Sequence, residues 1–366
     1  MQLPKSRAAL ARIEPYIPGK PIAEVQEELG LTDVIKMASN ENPLGPSPKA
    51  VLAMQETLGA AHIYPDGAAR ALRQAIATHW HVLPEQVIVG NGSDEVLLLL
   101  ATTYLEPSDA IMYGTPTFSE YAYAARVLGA KEIAVPLKDE TFDLDAMLAA
   151  ITPNTKLVFI CNPNNPTGTY VNADAAQRFL DGVPPGVLVV FDEAYVEYAD
   201  APDFPDVLGL LAQGYPVATV RTFSKIYGLA GLRVGYLIGP EAVVADLHRI
   251  KQPFNVNAPA QAAAIAALED QEHVEKSRRM NQAGKAQLYA IFDELGLRCW
   301  PSQSNFIFVD VGRPSQPVYE AVLQQGIILR SGAAFNRPNA LRVTIGQEHE
   351  NQRLGTVLKQ VLQNLH

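Results

Sequence analysis

The chain has 366 residues, 48% of them hydrophobic, and a formal net charge of −10, enough apolar material for one major and one minor domain. The acidic balance and lack of any basic run argue against a nucleic acid or an anionic membrane as partner, and no apolar run is long enough to span a bilayer. Two cysteines, Cys161 and Cys299, cannot build a disulfide framework, and the seven histidines show no metal-ligand spacing, which fits a metal-free protein of a reducing cytoplasm.

In chain order, residues 1–45 read as an arm, because 14–20 and 40–46 are punctuated by proline and resist regular structure. His79 and His81 fall on a helical stretch, where two positions diverge by roughly 200° and cannot share a metal. Strands are expected at 86–89, 110–113, 156–160, 188–191, 217–220 and 233–238, alternating with helix-like stretches. That alternation predicts an α/β domain on a mostly parallel sheet. From about Ala264 a long helical pattern leads to a strand at 305–311, a helix, and short strands at 326–330 and 341–345. The expected division is therefore an arm that joins the small domain (1–45), a large cofactor-binding domain (46–263) and a smaller α+β domain (264–366).

Ligands of open α/β sheets gather where strands end at their carboxyl edge, so the residues following each strand carry the chemistry. Gly90-Asn91-Gly92-Ser93-Asp94-Glu95 lies between a strand and an apolar helix. Free N–H groups and Ser93 could hold a phosphate there, or Ser93 or Asp94 could simply cap the helix. Asp192 ends an apolar strand, where a buried carboxylate needs a cation; a protonated pyridine nitrogen would supply one, as would an ordinary salt bridge. Lys225 sits among hydroxyls in Arg221-Thr222-Phe223-Ser224-Lys225. In a dry site such a lysine loses its proton readily and can condense with an aldehyde; exposed, it would be structural. Arg233 returns a guanidinium to the same edge, suited to clamping a phosphate. The run Asn162-Pro163-Asn164-Asn165-Pro166-Thr167-Gly168 is a tight loop, from which Asn165 could donate to a ring oxygen or merely stabilise the turn.

In this order the segments resemble the fold-type-I aminotransferases, and within them the histidinol-phosphate aminotransferase family. The resemblance also draws on Tyr16, residues 40–48, Tyr64-Pro65-Asp66, Asn255-Val256-Asn257, Ser304-Asn305-Phe306, Arg330 and Arg342. It implies a cytoplasmic homodimer that carries pyridoxal 5′-phosphate. Lys225 would be the Schiff-base lysine and proton carrier, Asp192 the partner of the pyridine nitrogen, and Asn165 and Tyr195 the holders of the ring's 3-oxygen. Ser93, Asp94, Thr222, Ser224 and Arg233 would surround the cofactor phosphate, joined by Tyr64 from a second subunit. Phe118 falls where relatives stack an aromatic ring on the cofactor, often tyrosine, so stacking survives here without a hydroxyl. Arg330 and Arg342 would receive the phosphate of histidinol phosphate and the carboxylate of a 2-oxo acid, with Tyr16, Tyr64 and Asn165 beside them and Asn42 closing the site.

The implied reaction exchanges an amino group between L-histidinol phosphate and 2-oxoglutarate, giving imidazole-acetol phosphate and L-glutamate, a step of histidine biosynthesis. Relatives with the same motifs act on phenylalanine or tyrosine, or on both substrate types, and a phosphothreonine decarboxylase is a further alternative on the same scaffold. Tyr16 with Arg330 favours the phosphate-bearing substrate, because an amino acid needs a guanidinium only for its carboxylate. A cofactor-binding regulator fused to a DNA-binding module is disfavoured, since no segment remains for such a module.

Overall fold

The computed structural model describes residues 3–15 and 19–365; Tyr16 lies outside them. Thirteen strands are found among the described residues: β1 (Ile35–Lys36), β2 (Val87–Gly90), β3 (Ala110–Thr115), β4 (Lys131–Pro136), β5 (Thr155–Cys161), β6 (Leu188–Asp192), β7 (Val217–Thr222), β8 (Gly235–Ile238), β9 (Arg298–Cys299), β10 (Phe306–Asp310), β11 (Ile327–Ile328), β12 (Arg330–Ser331) and β13 (Ala340–Thr344). Seven of them form one sheet in the order β2-β8-β7-β6-β5-β3-β4. Every neighbouring pair is parallel except those made by β8, which runs antiparallel to both β2 and β7. A mixed α/β protein with a large, mostly parallel sheet is thus the observed class.

The central strands are apolar along their whole length, as strands covered on both faces must be: Val189, Val190 and Phe191 of β6 are fully buried. Burying each such side chain stabilises the fold by roughly 1.5–3 kcal/mol. The helix Ser93–Tyr104 packs against β2, β5, β7 and β8, and directs its amino end at the carboxyl edge of β2. It starts at Ser93, three residues earlier than its apolar run.

Several expectations are corrected. Strand β4 was not expected, because Lys131 and Glu132 break its apolar pattern; as the sheet's edge it tolerates them. The arm contains a helix, Ile22–Leu29, where no regular structure was expected, while the pairing of β1 with β11 joins it to the carboxyl-terminal elements as expected. The helical pattern near Ala264 is two helices, Ala258–Glu269 and Gln271–Glu294. The first packs on the helices Pro48–Thr57 and Arg70–Trp80, and its Ala260, Ala263, Ala264 and Ala267 belong to the larger core, which therefore extends past residue 263. A second apolar cluster joins Met37, Leu288, Phe292, Ile307, Leu341 and Leu358 around the sheet β12-β13-β10-β9. Among the described residues no helix is long and apolar enough to cross a membrane.

Candidate active site

A cavity of about 270 Å³ opens at the carboxyl edge of the large sheet, against β12 and β13. Ser93, Asp94, Phe118, Asn165, Asp192, Tyr195, Thr222, Ser224, Lys225, Arg233, Arg330 and Arg342 all line it. The parallel strands bring the large-sheet residues to one edge and antiparallel β8 brings Arg233 back to it, while Arg330 and Arg342 come from β12 and β13 of the smaller sheet.

Asp192, the last residue of β6, is buried. Burial raises its carboxyl pKa to about 6, although the Tyr121 hydroxyl and the Ala194 N–H both favour the ionised form. Tyr121 donates to Asp192 Oδ2 at 2.7 Å, and its ring stacks on Phe159 with centroids 4.8 Å apart. No described cation lies within ion-pair distance of this carboxylate, so the site holds a negative charge that a positive ligand atom would compensate. Glu193, the next residue, points elsewhere and pairs with Arg221 at 2.7 Å, while the Arg221 guanidinium lies 3.8 Å from the Trp80 ring.

Lys225 follows β7 in the loop that leads to β8. Its Nζ donates to Ser39 O at 3.2 Å and lies 5.6 Å from the centre of the Tyr195 ring. Burial, followed by the charge of Arg342, lowers its pKa to about 8, so a useful fraction of neutral amine exists near neutrality. Tyr195 accepts from Asn40 Nδ2 at 3.0 Å, and burial pushes its hydroxyl well above the ordinary range. Arg342 Nη1 donates to Asn165 Oδ1 and Nη2 to Ala38 O, both at 2.5 Å.

At the other end of the cavity Arg233 Nη2 meets Asp94 Oδ2 at 3.0 Å, and Nη1 lies 3.5 Å from Ser224 Oγ. The Ser224 N–H donates to Thr222 Oγ1 at 3.0 Å. Gly92 suits this turn because its φ is +84°, and a Cβ there would also push the Arg233 guanidinium aside. Phe118 meets Tyr121 edge-on, with centroids 5.9 Å apart.

Arg330 and Arg342 occupy adjacent strands and are direct partners in the antiparallel register of β12 and β13. This corrects the expected placement: Arg330 opens its strand rather than ending one, and Arg342 sits within β13. Two candidates lie away from the cavity. Tyr64 is 79% exposed and stacks on Phe254 at 4.6 Å. Asn42 is buried and donates to Ile226 O at 2.7 Å and to Ser277 Oγ at 2.9 Å, contacts that brace the backbone beside Lys225. Sequence reasoning missed Asn40 and Tyr121, which touch Tyr195 and Asp192 from remote segments, and Cys161, a buried residue of the cavity wall. The only available signal was Asn40's place in the 40–48 segment.

Residues 32–358 match the family model of aminotransferase class I and II. The chain is 52% identical to histidinol-phosphate aminotransferase of Moorella thermoacetica, over 98% of this chain and 94% of that protein. It is 46% identical to that of Symbiobacterium thermophilum, over 97% and 98% of the two chains. Among solved structures, histidinol-phosphate aminotransferase from Sinorhizobium meliloti in complex with pyridoxal-5′-phosphate is 27% identical with a TM-score of 0.91, covering 100% of this chain and 99% of that one. The chain belongs to the class I and II aminotransferases, within the histidinol-phosphate aminotransferase family.

Proposed function

We propose that this protein is a pyridoxal-phosphate-dependent transaminase that exchanges the amino group of L-histidinol phosphate with 2-oxoglutarate. The observation that carries the substrate reading is the pairing of Arg330 with Arg342 across β12 and β13, on the wall of the cavity that holds Lys225. Two guanidiniums side by side suit a phosphate in one half-reaction and a carboxylate in the other.

The residues present fit the cofactor. A buried amine of depressed pKa suits an aldehyde, a buried uncompensated carboxylate suits a protonated pyridine, and the Gly92–Ser93 turn with Arg233 suits a phosphate. Ser93, Asp94, Thr222, Ser224 and Arg233 would hold the phosphate, Phe118 would stack on the ring, and Asn165 with Tyr195 would hold its 3-oxygen. When bound, the cofactor carries the amino group between substrates and draws electrons from the substrate's α-carbon bond.

The chain's own groups do the rest. Lys225 Nζ would take the proton from the carbon that bears the donor's amino group and pass it to the cofactor, and would run the same transfer backwards to the 2-oxo acid. Asp192 stays ionised against a cationic ring nitrogen, and Tyr121 orients the carboxylate. Asn40 holds the Tyr195 hydroxyl, and Arg342 grips Asn165 and Ala38 O, so a substrate anion on Arg342 would bear directly on the residues around the ring.

The same reading assigns Tyr64 to the neighbouring site of a homodimer: its ring is exposed and does not line this chain's own cavity. Tyr16 is assigned to the substrate phosphate by resemblance alone, and the compartment is the cytoplasm. A large cofactor-binding domain and a small carboxyl-terminal one are assigned with their boundary in the helix Gln271–Glu294, whose Val274 belongs to the larger apolar cluster and whose Leu288 and Phe292 belong to the second.

A single-turnover absorbance assay of the cofactor-loaded protein tests the substrate, comparing L-histidinol phosphate with L-phenylalanine and L-tyrosine at matched concentrations. Much faster conversion with histidinol phosphate is expected. Equal or faster conversion with the aromatic amino acids would reassign the substrate, and release of carbon dioxide from phosphothreonine would reassign the reaction.

A further inference from the structure

Two turns meet beside the cavity, and an ion pair joins them. Residues 138–141 form a tight hairpin in which Lys138 and Thr141 exchange backbone hydrogen bonds of 2.9 Å. Its central residues, Asp139 and Glu140, both have positive φ, 48° and 58°, a conformation that glycine or asparagine adopts at lower cost than glutamate. Opposite lies the turn Gly332–Phe335, which ends at Asn336 with φ 57°. Arg337 follows, its N–H bonded to Gly332 O at 2.9 Å. Arg337 Nε donates to Glu140 Oε1 at 2.6 Å, and only 13% of the Glu140 side chain is exposed. The other carboxylate oxygen, Oε2, is buried and takes no hydrogen bond. An ion pair whose carboxylate is largely desolvated and sits on a strained turn differs from a pair exposed on both sides, and strain that a fold retains is a pointer to function.

Each turn runs into the candidate site. The Phe335 ring lies against both candidate anion receptors, its centre 6.0 Å from Arg330 Cζ and 5.4 Å from Arg342 Cζ. On the other side, Thr169 Oγ1 donates to Glu140 O at 2.6 Å and pairs with Thr167 Oγ1 at 2.7 Å. Thr167 accepts from Asn164 Nδ2 at 2.9 Å, and Asn164 Oδ1 accepts from Thr117 at 2.8 Å. Asn164 and Thr117 directly precede Asn165 and Phe118.

We propose that Glu140 and Arg337 form a clasp between the two parts of the molecule, and that this clasp positions the Phe335 turn, and through it Arg330 and Arg342, against the 162–168 loop. The inference rests on the reading of those two arginines as anion receptors. Glu140 and Arg337 are positioning residues: neither lines the cavity. Their contribution is to substrate-anion affinity, and the chemistry at Lys225 proceeds without them.

The test uses the cofactor-loaded enzyme and measures kcat and KM for L-histidinol phosphate and 2-oxoglutarate in Glu140→Gln, Arg337→Gln and the double variant, with Arg330→Gln alongside. Each single clasp variant should raise KM about tenfold with kcat within about twofold, and the double variant should be no worse than either single, as expected for two groups of one interaction. Cofactor absorbance should be unchanged. An unchanged KM, a multiplied loss in the double variant, or a fall in kcat alone would overturn the clasp. If Arg330→Gln raises KM while the clasp variants do not, only the clasp fails. If Arg330→Gln leaves KM unchanged for both substrates, the receptor reading fails and the clasp with it. Arg337, one-third exposed, keeps the experiment informative if the Glu140 variant folds poorly.

Discussion

The hydroxyl of Tyr121 donates to Asp192 Oδ2 across 2.7 Å inside the protein, and the Tyr121 ring stacks on Phe159. The stacked ring fixes where the hydroxyl points, and the hydroxyl fixes the carboxylate. Tyr121→Phe removes one charge-assisted hydrogen bond, worth about 1.5–3 kcal/mol. Cofactor retention should weaken and kcat should fall on the order of tenfold, measured by equilibrium dialysis and steady-state turnover. Unaltered values in both would show that Asp192 is oriented by other contacts.

Lys225→Ala should abolish turnover together with the absorbance of lysine-bound cofactor, while the protein remains folded. A variant that kept both properties would remove Lys225 from the chemistry.

The apoprotein's pH dependence follows from Asp192. Its folded pKa, about 6, lies above the usual carboxyl value of 3.8, so the folded chain binds the extra proton between those pH values. The group's favourable contribution is complete below about pH 4 and is lost as pH rises through 6, on the order of 3 kcal/mol in all. Asp192→Asn should therefore raise apoprotein stability at pH 7 and flatten this part of the profile in denaturant melts. A steeper loss of stability in the variant would falsify the assignment.

Gly92→Ala places a Cβ against Arg233 Nη2 at a φ that alanine rarely adopts. Displacing the guanidinium should weaken binding of free inorganic phosphate and of the cofactor by at least about tenfold, roughly one lost charged hydrogen bond. Titration calorimetry would check both, and equal affinity for wild type and variant would separate Arg233 from the phosphate end.

Asn42→Ala leaves Ile226 O and the Ser277 hydroxyl without their buried donor, at a cost of about 1–3 kcal/mol. Stability should fall and kcat should fall with it, while KM changes little, since Asn42 braces Lys225's neighbour from behind. A selective rise in KM would instead support the role of closing the site over substrate.

The sequence made legible what depends on short segments. Asp192, Ser93 and Lys225 each lie at or shortly after the end of an apolar run, so strand periodicity and turn chemistry alone placed them at one edge. Contacts made across long separations left no such mark. Asn40 reaches Tyr195 over 155 positions, and Tyr121 reaches Asp192 over 71; each is an unremarkable residue in its own neighbourhood. Strand β4 was hidden because an edge strand can be charged, and the register that pairs Arg330 with Arg342 depends on a turn whose geometry composition does not specify.

Strand β8 runs against its neighbours, so the chain leaving β7 turns back beside it with no crossover helix. Lys225 and Arg233, the candidate grips on the two ends of one cofactor, are consequently only eight positions apart on a single returning loop. Closing a loop of that size costs little entropy, whereas Asp192 and Asn165 join through successive parallel crossovers. The lysine and arginine grips can therefore be brought together by a local event, whereas Ser93 and Asp94 reach Arg233 only when a segment 139 positions away docks.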